Sequence, residues 1–559
     1  MVAPRARQYH RARTKEVVNK MIKRVIIRGY RKFEALDLVP NDGLNIVVGA
    51  NDSGKSTLFE AIVMALTGRH EGFNAAEALN PYWFNAKLVS EFFDALEKVG
   101  DGDPLPELPE FRIELYLEAD DGELQKMRGI HNSRSEDSVG LSIQAVPDHD
   151  YLEDIEEYFR EKACPRVIPV EYYRLEWRDF ADQTVYRRPK GIGAAVIDTR
   201  TIRSNRGMDY YTREMVEEFI DSKVRNRVSV EHRKMRASLG DDLLASVNEE
   251  LDIPFANKLG LKIGIQVDQS RATSWANTLV PEVERIPFSQ SGKGTQAVAK
   301  TALAMEKSTE LTSHLLIEEP ENHLSHTRLR QLLTHIDQAR GDRQVFVTTH
   351  SSYVLNRLGL EQLLLLNCGF SHPFLGLSDD TANYFKRISG FDTLRVVLAD
   401  KIVLVEGPSD EIVFNRFFAD ELGFEPSDAG VDVMSLGGVS FRRSFELAHM
   451  LDRDLFALRD NDGETPQHWR SKLESLLDPG KRELFVGESG CGDTLESQIS
   501  NANDDATLRR VLGIGVEDDP TVWMLSQKTE AALRIAGSRE RLNPPKYIKD
   551  AINAVKGKS

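Results

Sequence analysis

The chain is 559 residues long, too long for one hydrophobic core and enough for roughly two to four domains. Its 41% hydrophobic and 29% charged residues are a globular balance that excludes a disordered or fibrous chain, and no apolar run reaches membrane-spanning length. A net charge of −16 argues against general affinity for polyanions, although a local basic surface can still meet phosphates. Cys164, Cys368 and Cys491 lie too far apart for a metal-ligand spacing or a disulfide framework, so a reducing cytosol is the expected location.

Residues 1–20 are basic and poor in acids. They read as a disordered arm, as a transit-like segment, or as a stretch preceding a true start at Met21. "RVIIRGYRKFEALDLVP" predicts strand, turn and strand, and "FRIELYLEA" a further strand after a proline-marked loop. Between them "GLNIVVGANDSGKSTLFEAIVMALTG" reads as strand, glycine loop and helix. "GANDSGKS" has the P-loop pattern in the context that gives it meaning. Gly49 and Gly54 let backbone N–H groups curl around phosphate oxygens, and the helix start adds its positive end. Lys55 supplies charge to the β- and γ-phosphates, and Ser56 a ligand for Mg²⁺.

Charged helical patterns such as "EHRKMRASLGDDLLASVNEELD" predict a helical insertion over residues 151–252, apart from the sheet around it. "KVRNRVSVEHRKMRAS" within it is either a solvated helix face or a basic surface. Strands resume at "LKIGIQV", "HLLIEEPENHL", "QVFVTTHSSYVL" and "LLLLNC". Glu318 closes one of them and is placed to hold Mg²⁺, and Glu319 to polarise an attacking water. Acids are common at helix starts because of the helix dipole, so the P-loop upstream is what gives this pair weight. His350, at the end of the next strand, is within sequence reach of a γ-phosphate role, although a lone histidine is usually structural.

From Lys401 a fresh strand–helix alternation begins, with "KIVLVE", "VDVMSL", "DLFALRD" and "RELFVGE" as strands of a parallel sheet. Glu406 ends the first strand, Pro408 suits a first helical turn, and Asp410 falls in that turn. "DLFALRDNDG" ends another strand on Asp460 and Asp462, two residues apart and so on one face of an extended chain. If the two strands are neighbours, four carboxylates converge, and they cannot all stay ionised without a cation. Hard oxygen donors suit Mg²⁺ or Mn²⁺.

"GANDSGKST", "IEEPENHL" and "TTHSS", in that order, resemble the Walker A, Walker B and switch-histidine motifs of ABC-type ATPases of the SMC- and RecF-like branch. The resemblance implies ATP binding by Gly49, Asn51, Gly54, Lys55, Ser56, Thr57, Glu318 and His350, with Glu319 catalytic. "SQSGKGTQAVA" loosely resembles the signature loop of that class through Ser291, Gly292, Gly294 and Gln296. Because the signature completes a partner's ATP site, it implies a homo-oligomer, a dimer or tetramer. Glu406, Asp460 and Asp462 match the motif of a TOPRIM domain. The ATPase and TOPRIM parts on one chain resemble the OLD (overcoming lysogenization defect) family of nucleases, to which the Gabija-type anti-phage nucleases belong. That resemblance implies an ATP-dependent or ATP-regulated DNA endonuclease using Mg²⁺ or Mn²⁺, with a helicase or other defence-system partner. It makes Asp410 a metal ligand too, offers Glu496 as a further one with Glu488 as its rival, and offers Lys546 as an assisting lysine.

The expected layout is an α/β chain: an arm over 1–20, an ATPase domain over 21–150 and 253–395 split by the insertion at 151–252, and a TOPRIM domain with C-terminal helices over 396–559. The insertion is the expected dimerisation region. The alternative is an ATP-dependent DNA clamp or scaffold without nuclease activity. A topoisomerase would need a tyrosine on a further DNA-binding domain, and a primase a zinc-binding cysteine cluster.

Overall fold

The computed structural model describes residues 20–50, 52–100, 103–119, 122–160, 165–198, 220–244, 247–248, 265, 281–306, 313–367, 370–373, 380–381, 384–385, 393–436 and 440–557. The arm at 1–19, Asn51 and the expected strand "LKIGIQV" lie outside them, apart from Ile265. The chain forms two compact units, Met1–Asn45 with Ser56–Thr348, and Ile46–Lys55 with Thr349–Ser559.

In the first unit the expected hairpin forms, Lys20–Tyr30 pairing antiparallel with Phe33–Leu38 through Tyr30 and Phe33. Phe111–Ala119 adds to its other side, followed by Ser138–Pro147. Alternation of apolar and polar residues drives this antiparallel layer, with Val25, Ile27, Ile113 and Leu115 fully buried. The parallel strands His314–Glu318 and Gln344–Thr348 are buried along their whole length because both faces are covered, and Ala194–Asp198 pairs beside them with alternating burial. All strands of this parallel group reach their carboxyl ends together, which brings Asp198, Glu318 and Thr348 into register.

The stretch expected to be a helical insertion differs. Tyr173–Asp179 is a strand pairing with Ser138–Pro147, and Ala194–Asp198 pairs with His314–Glu318, so both belong to the sheets. Their short apolar alternations, "YRLEW" and "AAVID", were outweighed by the charged residues around them, and tertiary pairing decided their conformation. A helix does run from Ser222 to Leu243 and carries the basic stretch; the described residues between Lys223 and Val230 are mostly exposed.

In the second unit a four-stranded parallel sheet has the order Val431–Ser435, Lys401–Val405, Asp454–Arg459, Arg482–Val486. The strands that lead into Glu406 and Asp460 are therefore adjacent. The core against this sheet combines Phe414, Phe417 and Phe418 of the helix Pro408–Leu422 with Ile548, Ile552 and Val555 of the helix Lys546–Lys556. The same unit holds the strand Leu44–Val48 from Ile46 on, parallel to Leu363–Asn367. Among the described residues no helix is long and apolar enough to cross a membrane.

Candidate phosphate and carboxylate sites

The glycine loop leads directly into the helix Lys55–Thr67. A side chain at Gly49 would put its Cβ 2.8 Å from the Leu366 carbonyl oxygen, so only glycine fits there. The Lys55 ammonium turns back over the loop, donating to the carbonyls of Gly49 (2.9 Å) and Ala50 (3.0 Å). Ser56 Oγ lies 3.2 Å from Glu318 Oε2, which joins the helix start to the end of the strand His314–Glu318. Thr57 is buried behind it. Glu319 has a positive φ of 44°, a costly conformation for a residue with a side chain. It is held by its N–H donating to the Thr348 carbonyl (2.9 Å) and by Asn322 donating to its carboxylate (2.8 Å). His350 follows the strand Gln344–Thr348 and is exposed. Of the signature-like loop, Ser291, Gly292 and Gly294 open the helix Lys293–Glu306, and Gln296 is buried, donating to the Ser291 carbonyl (2.8 Å). A Cβ at Gly294 would come 2.4 Å from the His323 carbonyl oxygen, so this loop packs directly on the turn after Glu319.

Glu60, which no sequence motif marks, lies one turn along the P-loop helix. Its carboxyl is pushed up to about 7, first by burial and then by Glu318 and Glu71, against the Arg31 guanidinium 2.8 Å away.

In the second unit Glu406, Asp410, Asp460 and Glu496 act on one another electrostatically. Glu406 follows its strand directly. The Gly407 N–H donates to Asp410 Oδ2 (3.0 Å), so one oxygen of Asp410 caps the helix Pro408–Leu422. Glu496 is buried in the first turn of the helix Leu495–Ala502, with Lys528 Nζ 3.2 Å from its Oε2. Asp460 is pushed up to about 8, by burial first and then by Asp410, Glu406 and Glu496, with Lys528 opposing. Burial also raises Glu406, against Arg459, and Asp410, against the Gly407 N–H. Tyr547, buried, is raised well above its ordinary range by burial and by the same four carboxylates.

Asp462 departs from the expected arrangement. The strand ends at Arg459, and Asp462 has a positive φ of 52°, so the premise of one shared face fails. Its carboxylate accepts from Arg459 Nη2 (2.8 Å). Asn461, buried between the two aspartates, ties the loop down by donating to the carbonyls of Glu488 (3.2 Å) and Gly492 (2.8 Å). Lys546 and Glu488 pair with each other at 3.2 Å, and Lys546 also reaches Asp550, so this lysine is engaged outside the carboxylate group. The lysine that does reach the group is Lys528, which the sequence reading missed; it sits on another helix, thirty-two residues after Glu496, with no local motif to mark it. Arg459 was also missed, although it directly precedes Asp460.

Among the described residues no three carboxylate, imidazole or thiol groups stand ready to share one metal ion as they are arranged here. The donor chemistry nevertheless fits a hard divalent cation. Four acids gather with Lys528 beside Glu496 and Arg459 beside Glu406, and among the described residues neither Glu406 Oε1 nor Glu496 Oε2, both buried, makes a hydrogen bond.

A family model described as "AAA domain" matches residues 24–166, one described as "AAA domain, putative AbiEii toxin, Type IV TA system" matches residues 225–356, and one described as "Overcoming lysogenization defect protein-like, TOPRIM domain" matches residues 397–462. The chain carries AAA-type ATPase domains and an OLD-like TOPRIM domain. The OLD-like TOPRIM match begins just before the strand Lys401–Val405 and ends on Asp462, so it covers Glu406, Asp410 and Asp460 and stops short of Glu496 and Lys528. The chain is similar to the DNA replication and repair protein RecF of Vibrio atlanticus (strain LGP32), 40% identical over 48 residues; the match spans 9% of this chain and 13% of that protein's length. Among solved structures, the C-terminal region of the Burkholderia pseudomallei OLD protein is 21% identical with a TM-score of 0.24, over 29% of this chain and 98% of that one. The Smc head domain bound to the C-terminal domain of ScpA, from Pyrococcus furiosus, is 13% identical with a TM-score of 0.31, over 63% of this chain and 95% of that one. ATPase domains together with an OLD-like TOPRIM domain support ATP binding and, in general terms, a nuclease-type function.

Proposed function

We propose that the chain is an ATP-regulated, divalent-metal-dependent DNA endonuclease, acting in antiviral defence or DNA processing. The observation that carries this reading is the group formed by Glu406 and Asp460, which follow adjacent parallel strands where open α/β sheets bind ligands, with Asp410 and Glu496 from the first turns of two helices. These four residues would hold Mg²⁺ or Mn²⁺, with Asp462 joining them if it releases Arg459. The bound cations would supply activation of water and charge stabilisation of the leaving oxygen in phosphodiester cleavage. The protein's own part is to hold acidic oxygens in place and to keep Lys528 beside Glu496, where its charge limits the repulsion among the acids. At the other site, Lys55 and the loop N–H groups would bind nucleotide phosphates, Ser56 and Glu318 the Mg²⁺, and Glu319 would orient water. The signature-like loop then implies a dimer in which each copy completes the other's ATP site.

The test is cleavage of plasmid DNA with Mg²⁺ or Mn²⁺ by the wild type and by Asp460→Ala, alongside ATP binding by each. Loss of cleavage with retained ATP binding supports the reading. Equal cleavage by both, or none by the wild type under any nucleotide condition, overturns it in favour of an ATP-dependent DNA scaffold.

A further inference from the structure

Beside Glu406 the TOPRIM unit holds a cavity of about 770 Å³, within the range of small-ligand pockets (roughly 300–1,000 Å³). Its wall carries Leu473 and Leu484 together with the Phe441 ring, and its charged lining is cationic except for Glu406. Arg459 is the link to the carboxylate group. Its Nε lies 3.5 Å from Glu406 Oε1, its guanidinium stacks 3.4 Å from the Trp469 ring centre, and it stands 5.5 Å from the Phe441 ring. Lys472 Nζ lies 4.0 Å from the same Trp469 ring and has no carboxylate within ion-pair distance among the described residues. Arg442 is exposed at the margin and, among the described residues, pairs only with Glu446, one turn along its own helix, at 3.3 Å.

We propose that this cavity receives one unpaired nucleotide of the DNA strand whose neighbouring phosphate lies at the carboxylate group. The inference rests on the nuclease reading for that neighbouring phosphate, and otherwise on the cavity itself. A nucleotide has the complementary parts, a flat apolar base and an anionic phosphate. The base would lie on Phe441 and on the Arg459–Trp469 stack, since both aromatic rings and guanidinium planes accept bases face-on. The phosphate would be met by Lys472 and Arg442. A base paired and stacked within a duplex cannot enter a pocket walled in this way; it must first leave the stack. The enzyme would therefore favour DNA that already has an unpaired segment, such as a single strand, a gap or a flap.

The test is binding, measured by fluorescence anisotropy on the full chain in EDTA, so that no cleavage intervenes. The probes are a labelled single-stranded oligonucleotide and the same sequence as a blunt duplex. Two variants are compared with the wild type, both checked for folding by circular dichroism and ATP binding. Ser440→Trp fills the cavity from a position whose own side chain makes no hydrogen bond among the described residues. Lys472→Ala removes the unpaired cation. The wild type is expected to prefer the single strand roughly tenfold, and each variant to lose most of that preference with duplex binding changed less than about twofold. Equal affinity of the wild type for both probes, or equal losses on both in the variants, overturns the proposal. These outcomes are independent of catalysis. A wild type that cuts plasmid but does not discriminate would sink the pocket and leave the nuclease reading standing; one that discriminates but never cuts would do the reverse.

Discussion

Asp460→Asn replaces a carboxyl raised to about 8 by a neutral group of the same shape. An unfolded aspartate titrates near 3.9. Between about pH 4 and pH 8 the folded, metal-free protein thus keeps a proton that the unfolded chain has lost. The unfolded state then binds fewer protons than the folded one, so stability falls as pH rises through this window. Each pH unit corresponds to about 1.4 kcal/mol, so about four units set an upper bound near 5 kcal/mol. Asp460 is partly exposed, and solvent screening brings the expectation to about 2 kcal/mol. For a domain of this size that is about 4–8 °C in Tm. Calorimetry in EDTA should show the wild-type transition of the TOPRIM unit moving down by this amount from pH 5 to pH 8, with Asp460→Asn showing a much flatter profile. Added Mn²⁺ or Mg²⁺ should restore the wild type more at pH 8 than at pH 6 and the variant much less, since cation and proton compete for the same oxygen. Superimposable pH profiles of wild type and variant without metal would refute the reasoning.

Lys528→Gln should lower metal-free stability near pH 8, because the cation that offsets Asp460 and pairs with Glu496 is lost, whereas Lys546→Gln should leave that pH profile unchanged; thermal scans of both separate the two lysines. Lys55→Ala should weaken ATP binding at least tenfold, measured by a fluorescent analogue, because the phosphates lose their fixed charge. Glu319→Gln should bind ATP as the wild type does and hydrolyse it at least a hundredfold more slowly, and equal turnover would remove Glu319 from water activation. Light scattering with ATP and Mg²⁺ should give at least a dimer for Glu319→Gln, and a monomer under those conditions would contradict a shared ATP site.

Sequence alone determined the parts of this protein that local chemistry governs. The P-loop was legible because a glycine at position 49 and the lysine–serine pair that follows are required by close backbone approach and by helix-start geometry. The parallel strands were legible because burial on both faces leaves continuous apolar runs, as in "KIVLV" and "HLLIE". Glu406 and Asp410 were legible for the same reason, being acids placed where such a run stops. What the tertiary structure decided lies between elements distant in sequence. Two short strands within 151–252 took their conformation from their pairing partners rather than from their composition. The Glu488–Lys546 pair and the Glu496–Lys528 pair each join segments more than thirty residues apart, and only packing of the C-terminal helices selects which lysine meets which acid. Asp462 shows the same limit within three residues: the Asp-x-Asp spacing places it correctly in sequence, but a turn to positive φ and the pull of Arg459 decide where its charge goes.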